Sequence, residues 1–97
     1  MATIVYSPAA IAHLERLFEY LAEKNPSSAM DAVTAIRSAV ELLGQHPLIG
    51  RAVEGELREL VISYGKTGYV ALYRFVLSDD EVRVLGFRHQ RALDYPG

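Results

Sequence analysis

Eight side chains able to bind anions, move protons or stack on a flat ring gather in the C-terminal part of the chain: Arg58, Tyr64, Tyr73, Arg74, Arg88, His89, Arg91 and Tyr95. A guanidinium donates two parallel hydrogen bonds from a permanent charge, which suits phosphate and carboxylate. A histidine beside it can move a proton near neutral pH, and a tyrosine can stack on a base or orient a hydroxyl. Together they would make a minimal, metal-free site for cleaving RNA by internal attack of the 2′-hydroxyl. The same residues also have a plainer use. Arg58, Arg74 and Arg83 can lay their stems along a sheet face and pair with Glu59, Asp79 and Glu81. Residue types alone leave both uses open.

Other chemistries find little support. Cysteine is absent, which removes disulfides, thiol catalysis and thiolate metal sites together. His13, His46 and His89 are far apart in sequence and show no metal-binding spacing, so neither a metal nor another cofactor is expected. No nucleophile-elbow pattern is present, and Ser63 and Ser78 sit in turn-like contexts. The acidic run Asp79-Asp80-Glu81 reads as a solvated hairpin turn. His13, alone on a helix, reads as a surface or packing residue.

The basic set lies on three apolar runs of strand length: Leu57–Tyr64, Tyr69–Leu77 and Glu81–Arg91, joined at Gly65-Lys66-Thr67-Gly68 and Ser78-Asp79-Asp80. Such runs with short turns predict an antiparallel meander. The middle run is apolar on both faces, as a central strand covered on both sides should be. Upstream, Thr3-Ile4-Val5-Tyr6 reads as an edge strand.

Ser7-Pro8 then starts a helix, the serine accepting from free N–H groups and the proline fitting the first turn. Ile11, Leu14, Phe18 and Leu21 recur at helical spacing as far as about Lys24, with Leu17 widening the stripe. Asn25-Pro26 repeats the start signal, and Ala29, Val33, Ile36, Val40 and Leu43 form one continuous stripe. Gly44 is expected to end this helix in the left-handed region, with Pro47 preventing resumption. A connection this short makes the two helices an antiparallel hairpin packed on one face of the meander. His46–Arg51 and the Val53–Glu56 lead-in read as loop. The expected fold is α+β: an N-terminal strand, a helical hairpin and a three-stranded antiparallel meander, forming a single domain over residues 1–97.

Composition agrees with that reading. At 51% hydrophobic and 23% charged residues the chain is ordinary for a globular domain and unlike a disordered one. The net charge is −2, split as −3 over residues 1–56 and +1 over residues 57–97. That is far from the basic stripe of a duplex-binding protein. No apolar run approaches the roughly 20 residues that cross a bilayer, and the first residues lack a signal-peptide pattern, so a cytoplasmic protein without a membrane partner is expected.

In this order and spacing the chain resembles the ParE/RelE superfamily of toxins from bacterial type II toxin–antitoxin modules. The resemblance rests on the helix hairpin, the connection His46-Pro47-Leu48-Ile49-Gly50 and the strand opening Leu57-Arg58. It rests also on the central strand Tyr69-Val70-Ala71-Leu72-Tyr73-Arg74 and on Val84-Leu85-Gly86-Phe87-Arg88-His89-Gln90-Arg91, closing toward Tyr95. It implies one of two activities. RelE-like members are ribosome-dependent mRNA endoribonucleases, whereas ParE-like members poison DNA gyrase and are not enzymes.

Val70 stands where the ribonucleases commonly carry a basic residue, and Glu59-Leu60-Val61-Ile62 replaces their lysine-rich first strand. Tyr73-Arg74 and Leu57-Arg58 resemble ParE. The resemblance therefore implies a ParE-like toxin with DNA gyrase as target and a cognate antitoxin as partner in a hetero-oligomer. Arg58, Arg74, Arg88, His89 and Arg91 would then be the target-binding residues. In the alternative, Arg74, Arg88 and Arg91 would hold the scissile phosphate, His89 would be general acid or base and Tyr95 would position the nucleotide. The partners would then be ribosome and mRNA. A module whose toxicity has decayed, kept as an antitoxin-binding component, is a third class.

Overall fold

A computed structural model describes residues 1–96. The chain runs β1 (Thr3–Tyr6), α1 (Pro8–Lys24), α2 (Pro26–Glu41), a 3₁₀ turn (Leu42–Gly44), β2 (Arg51–Glu54), β3 (Leu57–Tyr64), β4 (Thr67–Val76), a second 3₁₀ turn (Leu77–Asp79) and β5 (Glu81–His89). All strands belong to one sheet in the order β1-β5-β4-β3-β2. β1 pairs parallel with β5, and every other pairing is antiparallel.

Both helix starts follow from local chemistry. Ser7 Oγ accepts the Ala10 N–H at 3.1 Å and donates to the Leu85 carbonyl at 3.1 Å, so the cap also ties α1 to β5. Asn25 serves both helices. Its N–H closes α1 on the Leu21 carbonyl at 2.9 Å, while its Oδ1 accepts from Ser27 and Ser28 at 3.1 and 3.3 Å. One extended residue therefore reverses the chain, and Pro26 fills the first helical position.

The two sheet faces have different covers. Tyr69, Ala71, Tyr73, Val82, Val84 and Phe87 pack with Ala10, Ile36, Val40 and Leu43 as the helix-side core. Because side chains alternate along a strand, Glu59, Val70, Leu72 and Arg88 lie on the opposite, outer face. One irregularity fixes this assignment. Leu72 pairs with Gly86 and Tyr73 with Val84, so Leu85 is an extra residue that switches the phase of β5. The bulge turns Phe87 into the core and Arg88 to the outer face.

Two expectations require correction. Arg51–Glu54 is not loop but the edge strand β2, whose residues are all exposed. Its short length and its register shift between Ala52 and Glu54 blunt the open edge. Its apolar content is too low for periodicity to reveal, and pairing with β3 alone makes it a strand. Nor does Gly44 end α2 in the left-handed region; among the described residues positive φ occurs at Gly55, Gly65 and Asp80. Instead α2 tightens into the 3₁₀ turn. A Cβ on Gly44 would lie 3.2 Å from the carbonyl oxygen of Ala2, whose N–H donates to the Gly44 carbonyl at 2.7 Å.

Gly50 is the tightest backbone approach to the core. Its N–H donates to the Tyr73 hydroxyl at 2.9 Å, and a Cβ there would sit 2.6 Å from that oxygen and 2.8 Å from the Glu59 carbonyl. Neither neighbour can yield, since Tyr73 is fully buried and the carbonyl belongs to β3. Gly50→Ala should therefore destabilise the domain by about 1–3 kcal/mol, as overpacking does, measured by urea unfolding. An unchanged midpoint would show that the loop moves freely away from Tyr73.

Candidate functional site

The outer face is organised by one carboxylate. Glu59 lies on β3 opposite Leu72 and is 8% exposed. Its Oε1 accepts from Arg51 Nε at 3.1 Å and Nη2 at 2.8 Å, while its Oε2 accepts the Tyr95 hydroxyl at 2.6 Å and Arg88 Nη2 at 3.4 Å. Burial works to raise the Glu59 pKa, but donation from Tyr95, Arg51 and Arg88 outweighs it, so the group sits below its ordinary value. Burial, the hydrogen bond to Glu59 and the Glu59 charge hold the Tyr95 phenol well above its own ordinary value. Proton and charge are therefore fixed: phenol neutral, carboxylate ionised.

Arg88 is the hub beside it. Nη1 donates to the carbonyls of His89, Gln90 and Ala92 at 3.3, 3.2 and 2.9 Å, and the guanidinium stands 5.4 Å from the Tyr95 ring centroid. Its side chain is 13% exposed. The next residue faces the other way. His89 pairs with Tyr69 on β4 and meets its ring edge-on at 5.6 Å, with Nδ1 accepting the Arg91 N–H at 3.1 Å.

The remaining basic and tyrosine residues are dispersed. Arg58 Nη1 holds the carbonyls of Leu48 and Gly50 at 3.2 and 2.8 Å, tying the His46–Gly50 connection to β3. Arg74 is 3.9 Å from Glu56, too long for more than a weak surface pair. Arg83 pairs with Asp79 at 3.0 Å and Glu81 at 2.7 Å. Tyr64 packs at the margin of the core, Tyr73 is its largest fully buried side chain, and Arg91 is exposed beyond the end of β5.

A second feature centres on His13. Beyond Val84, β5 has no strand on its β1 side, since β1 ends at Tyr6. His13 takes that place: Nδ1 accepts the Phe87 N–H at 3.0 Å, and Nε2 lies 3.1 Å from the Pro96 carbonyl. An accepting Nδ1 puts the ring proton on Nε2, which donates to Pro96. Beside it, α1 and β5 enclose an open groove of about 600 Å³. Leu17, Leu21, Tyr69 and Phe87 give it an apolar lining, and Arg16 and Lys24 add charge along α1. Among the described residues no group of three or more His, Asp or Glu side chains is placed to hold a metal ion.

A family profile described as "ParE toxin of type II toxin-antitoxin system, parDE" matches residues 4–93. The chain belongs to the ParE toxin family. The RelE3 toxin of Caulobacter vibrioides is 36% identical over 89 residues, covering 92% of this chain and 95% of that protein. The RelE2 toxin of the same organism is 29% identical over 93 residues, covering 96% of this chain and 100% of that protein. A solved structure of a chromosomal ParDE toxin–antitoxin system from P. aeruginosa superposes with a TM-score of 0.75 at 22% identity, over 92% of this chain and 96% of that one. It shares the fold.

In this ParE-family toxin the residues singled out by sequence divide between two faces. Arg88 and Tyr95 meet on the outer face around Glu59, whereas His89 lies on the helix side. Two organising residues escaped the sequence reading. The side-chain partners of Glu59 are Arg51, Arg88 and Tyr95 rather than Arg58, and a lone carboxylate inside an apolar strand is itself a signal that cations must come to it. His13 stands within the helix-side stripe between Ala10 and Leu17 and is 7% exposed, a position where a polar ring needs partners.

Glu59→Gln keeps the shape but removes the charge, and should cost about 1–3 kcal/mol at neutral pH, the exposed Arg51 contributing little of it. The Glu59 pKa is lower folded than unfolded, so its stabilisation is present above the ordinary value of 4.5 and is lost as pH falls through the folded value. Urea unfolding between pH 7 and 3 should show a wild-type decline below about pH 4.5 that the variant shows less of. Equal slopes would contradict the depressed carboxylate.

Proposed function

We propose that this ParE-family toxin arrests growth by docking on DNA gyrase and stalling its cycle, in the cytoplasm and without metal or cofactor. A cognate antitoxin neutralises it. The observation that supports docking over RNA cleavage is the division of the basic set. Cleavage needs a proton-moving histidine and phosphate-holding arginines around one atom. Here Arg88 and Tyr95 are committed to Glu59 on one face while His89 sits on the other. The target contacts in this reading are Arg58, Arg74, Arg88, His89 and Arg91, with His89 and Arg91 the freely exposed members.

The names of the Caulobacter relatives favour a second reading. In it the chain is a ribosome-dependent endoribonuclease in which Arg74, Arg88 and Arg91 hold phosphate, His89 moves the proton and Tyr95 positions the nucleotide. Controlled expression in bacteria separates the two. Gyrase poisoning predicts filamentation and a DNA-damage response with intact messages. Messages cut on translated RNAs alone would overturn it, and unchanged growth would remove both readings.

The antitoxin is expected to lay an amphipathic segment in the groove between α1 and β5, its apolar side on Leu17, Leu21 and Phe87 and its carboxylates near Arg16 and Lys24. Tyr20, 56% exposed on the α1 wall, is the exposed aromatic anchor. Arg16→Glu combined with Tyr20→Ala should weaken antitoxin binding by about 10- to 100-fold without unfolding the toxin, measured by calorimetry. Unchanged affinity would place the antitoxin elsewhere.

A further inference from the structure

Beyond β5 the chain does not leave the sheet. Residues 90–96 double back and touch it at separate points. The Ala92 carbonyl accepts Arg88 Nη1 at 2.9 Å, the Tyr95 hydroxyl donates to Glu59 Oε2 at 2.6 Å, and the Pro96 carbonyl accepts His13 Nε2 at 3.1 Å. The segment makes little apolar contact of its own: Ala92, Leu93, Asp94 and Pro96 are exposed, and Leu93 is 102% exposed. On the outer face Tyr95 spans the row Glu59–Leu72–Gly86: its hydroxyl is on Glu59, and a Cβ on Gly86 would lie 3.5 Å from its ring and 3.0 Å from the His13 ring, so half-buried Leu72 lies beneath it. Polar contacts therefore hold a segment that hydrophobic burial does not.

We propose that residues 91–96 form a strap that opens and closes over the outer face, with the Tyr95–Glu59 hydrogen bond as its latch. Closed, the strap covers Leu72 and Gly86, and its Ala92 carbonyl engages Arg88. Open, it releases that carbonyl from Nη1 and uncovers Leu72, while Arg88 keeps Glu59 and the carbonyls of His89 and Gln90. Any partner that uses this face must lift the strap first. A segment tied by few polar bonds and with little buried apolar area belongs to the least stable part of a fold, where local opening occurs. The inference does not depend on the identity of the toxin's target.

The absence of native cysteine allows a direct test. Leu72→Cys places a thiol beneath Tyr95, and Ala71→Cys places one on the helix side of the same strand, where Ala71 is 0% exposed. Each is made with and without Tyr95→Phe, which keeps the ring beside Arg88 and removes the hydroxyl. Losing one hydrogen bond to a carboxylate should raise the open fraction, and with it the Leu72→Cys labelling rate, by about 3- to 10-fold. Ala71→Cys, reached only by global unfolding, should react far more slowly than Leu72→Cys in both backgrounds and speed up steeply with urea, whereas labelling at Leu72 should be nearly independent of low urea. If neither rate changes, the bond is no latch. If the two thiols react at similar rates with the same steep urea dependence, the outer face is exposed only by global unfolding and the strap proposal fails.

Discussion

A carboxylate taken out of water must be met by charge and hydrogen bonds, and Glu59 imposes that demand on the outer face of the sheet. Left unpaired, such a group would cost several kcal/mol. Arg51 meets it from the edge strand, Arg88 from β5 and Tyr95 from the C-terminal segment. Arg51 lies far from the other two in sequence, while Arg88 and Tyr95 also meet each other, the guanidinium 5.4 Å from the ring centroid. The carboxylate thus joins β2, β3, β5 and the chain end into one unit. It also decides what the arginines can do: a guanidinium spending its donors on Glu59 and three carbonyls has few left for a phosphate.

The bulge at Leu85 is the second constraint, since it sets which residues reach that carboxylate. Without the extra residue, strand alternation would send Arg88 toward the helices and Phe87 to solvent. The same region of β5 outruns β1, and His13 caps the buried Phe87 N–H that β1 leaves unpaired. Bulge, histidine and carboxylate therefore work on one strand. Together they divide the molecule into a closed outer face and a grooved helix side.

Much of this architecture was legible in the residues. Ser7-Pro8 and Asn25-Pro26 mark the helix starts because capping is local chemistry, and the three long strands show as apolar runs between turn residues. Strand β2 was hidden, because Arg51-Ala52-Val53-Glu54 owes its conformation to a neighbour and carries no period of its own. Gly44 was misleading for a related reason: glycine marks either a left-handed turn or a close approach, and only the position of Ala2 distinguishes them. The site was harder still. Clustering Arg88, His89 and Tyr95 by sequence ignores the alternation that puts His89 on the other face, and the phase of β5 depends on a single unpaired residue. Glu59 and His13 gain their importance from partners that sequence distance conceals, Tyr95 and Pro96 among them.

The central claim is that Glu59 and Tyr95 act as one unit holding the C-terminal segment to the sheet. A double-mutant cycle tests it most directly, with Glu59→Gln, Tyr95→Phe and the pair compared by urea unfolding at neutral pH. Coupled residues give non-additive losses, and a coupling energy of about 1–2 kcal/mol is expected for this contact. Losses that add to within about 0.5 kcal/mol would mean that the two groups contribute independently. The carboxylate would then not be what holds the chain end in place.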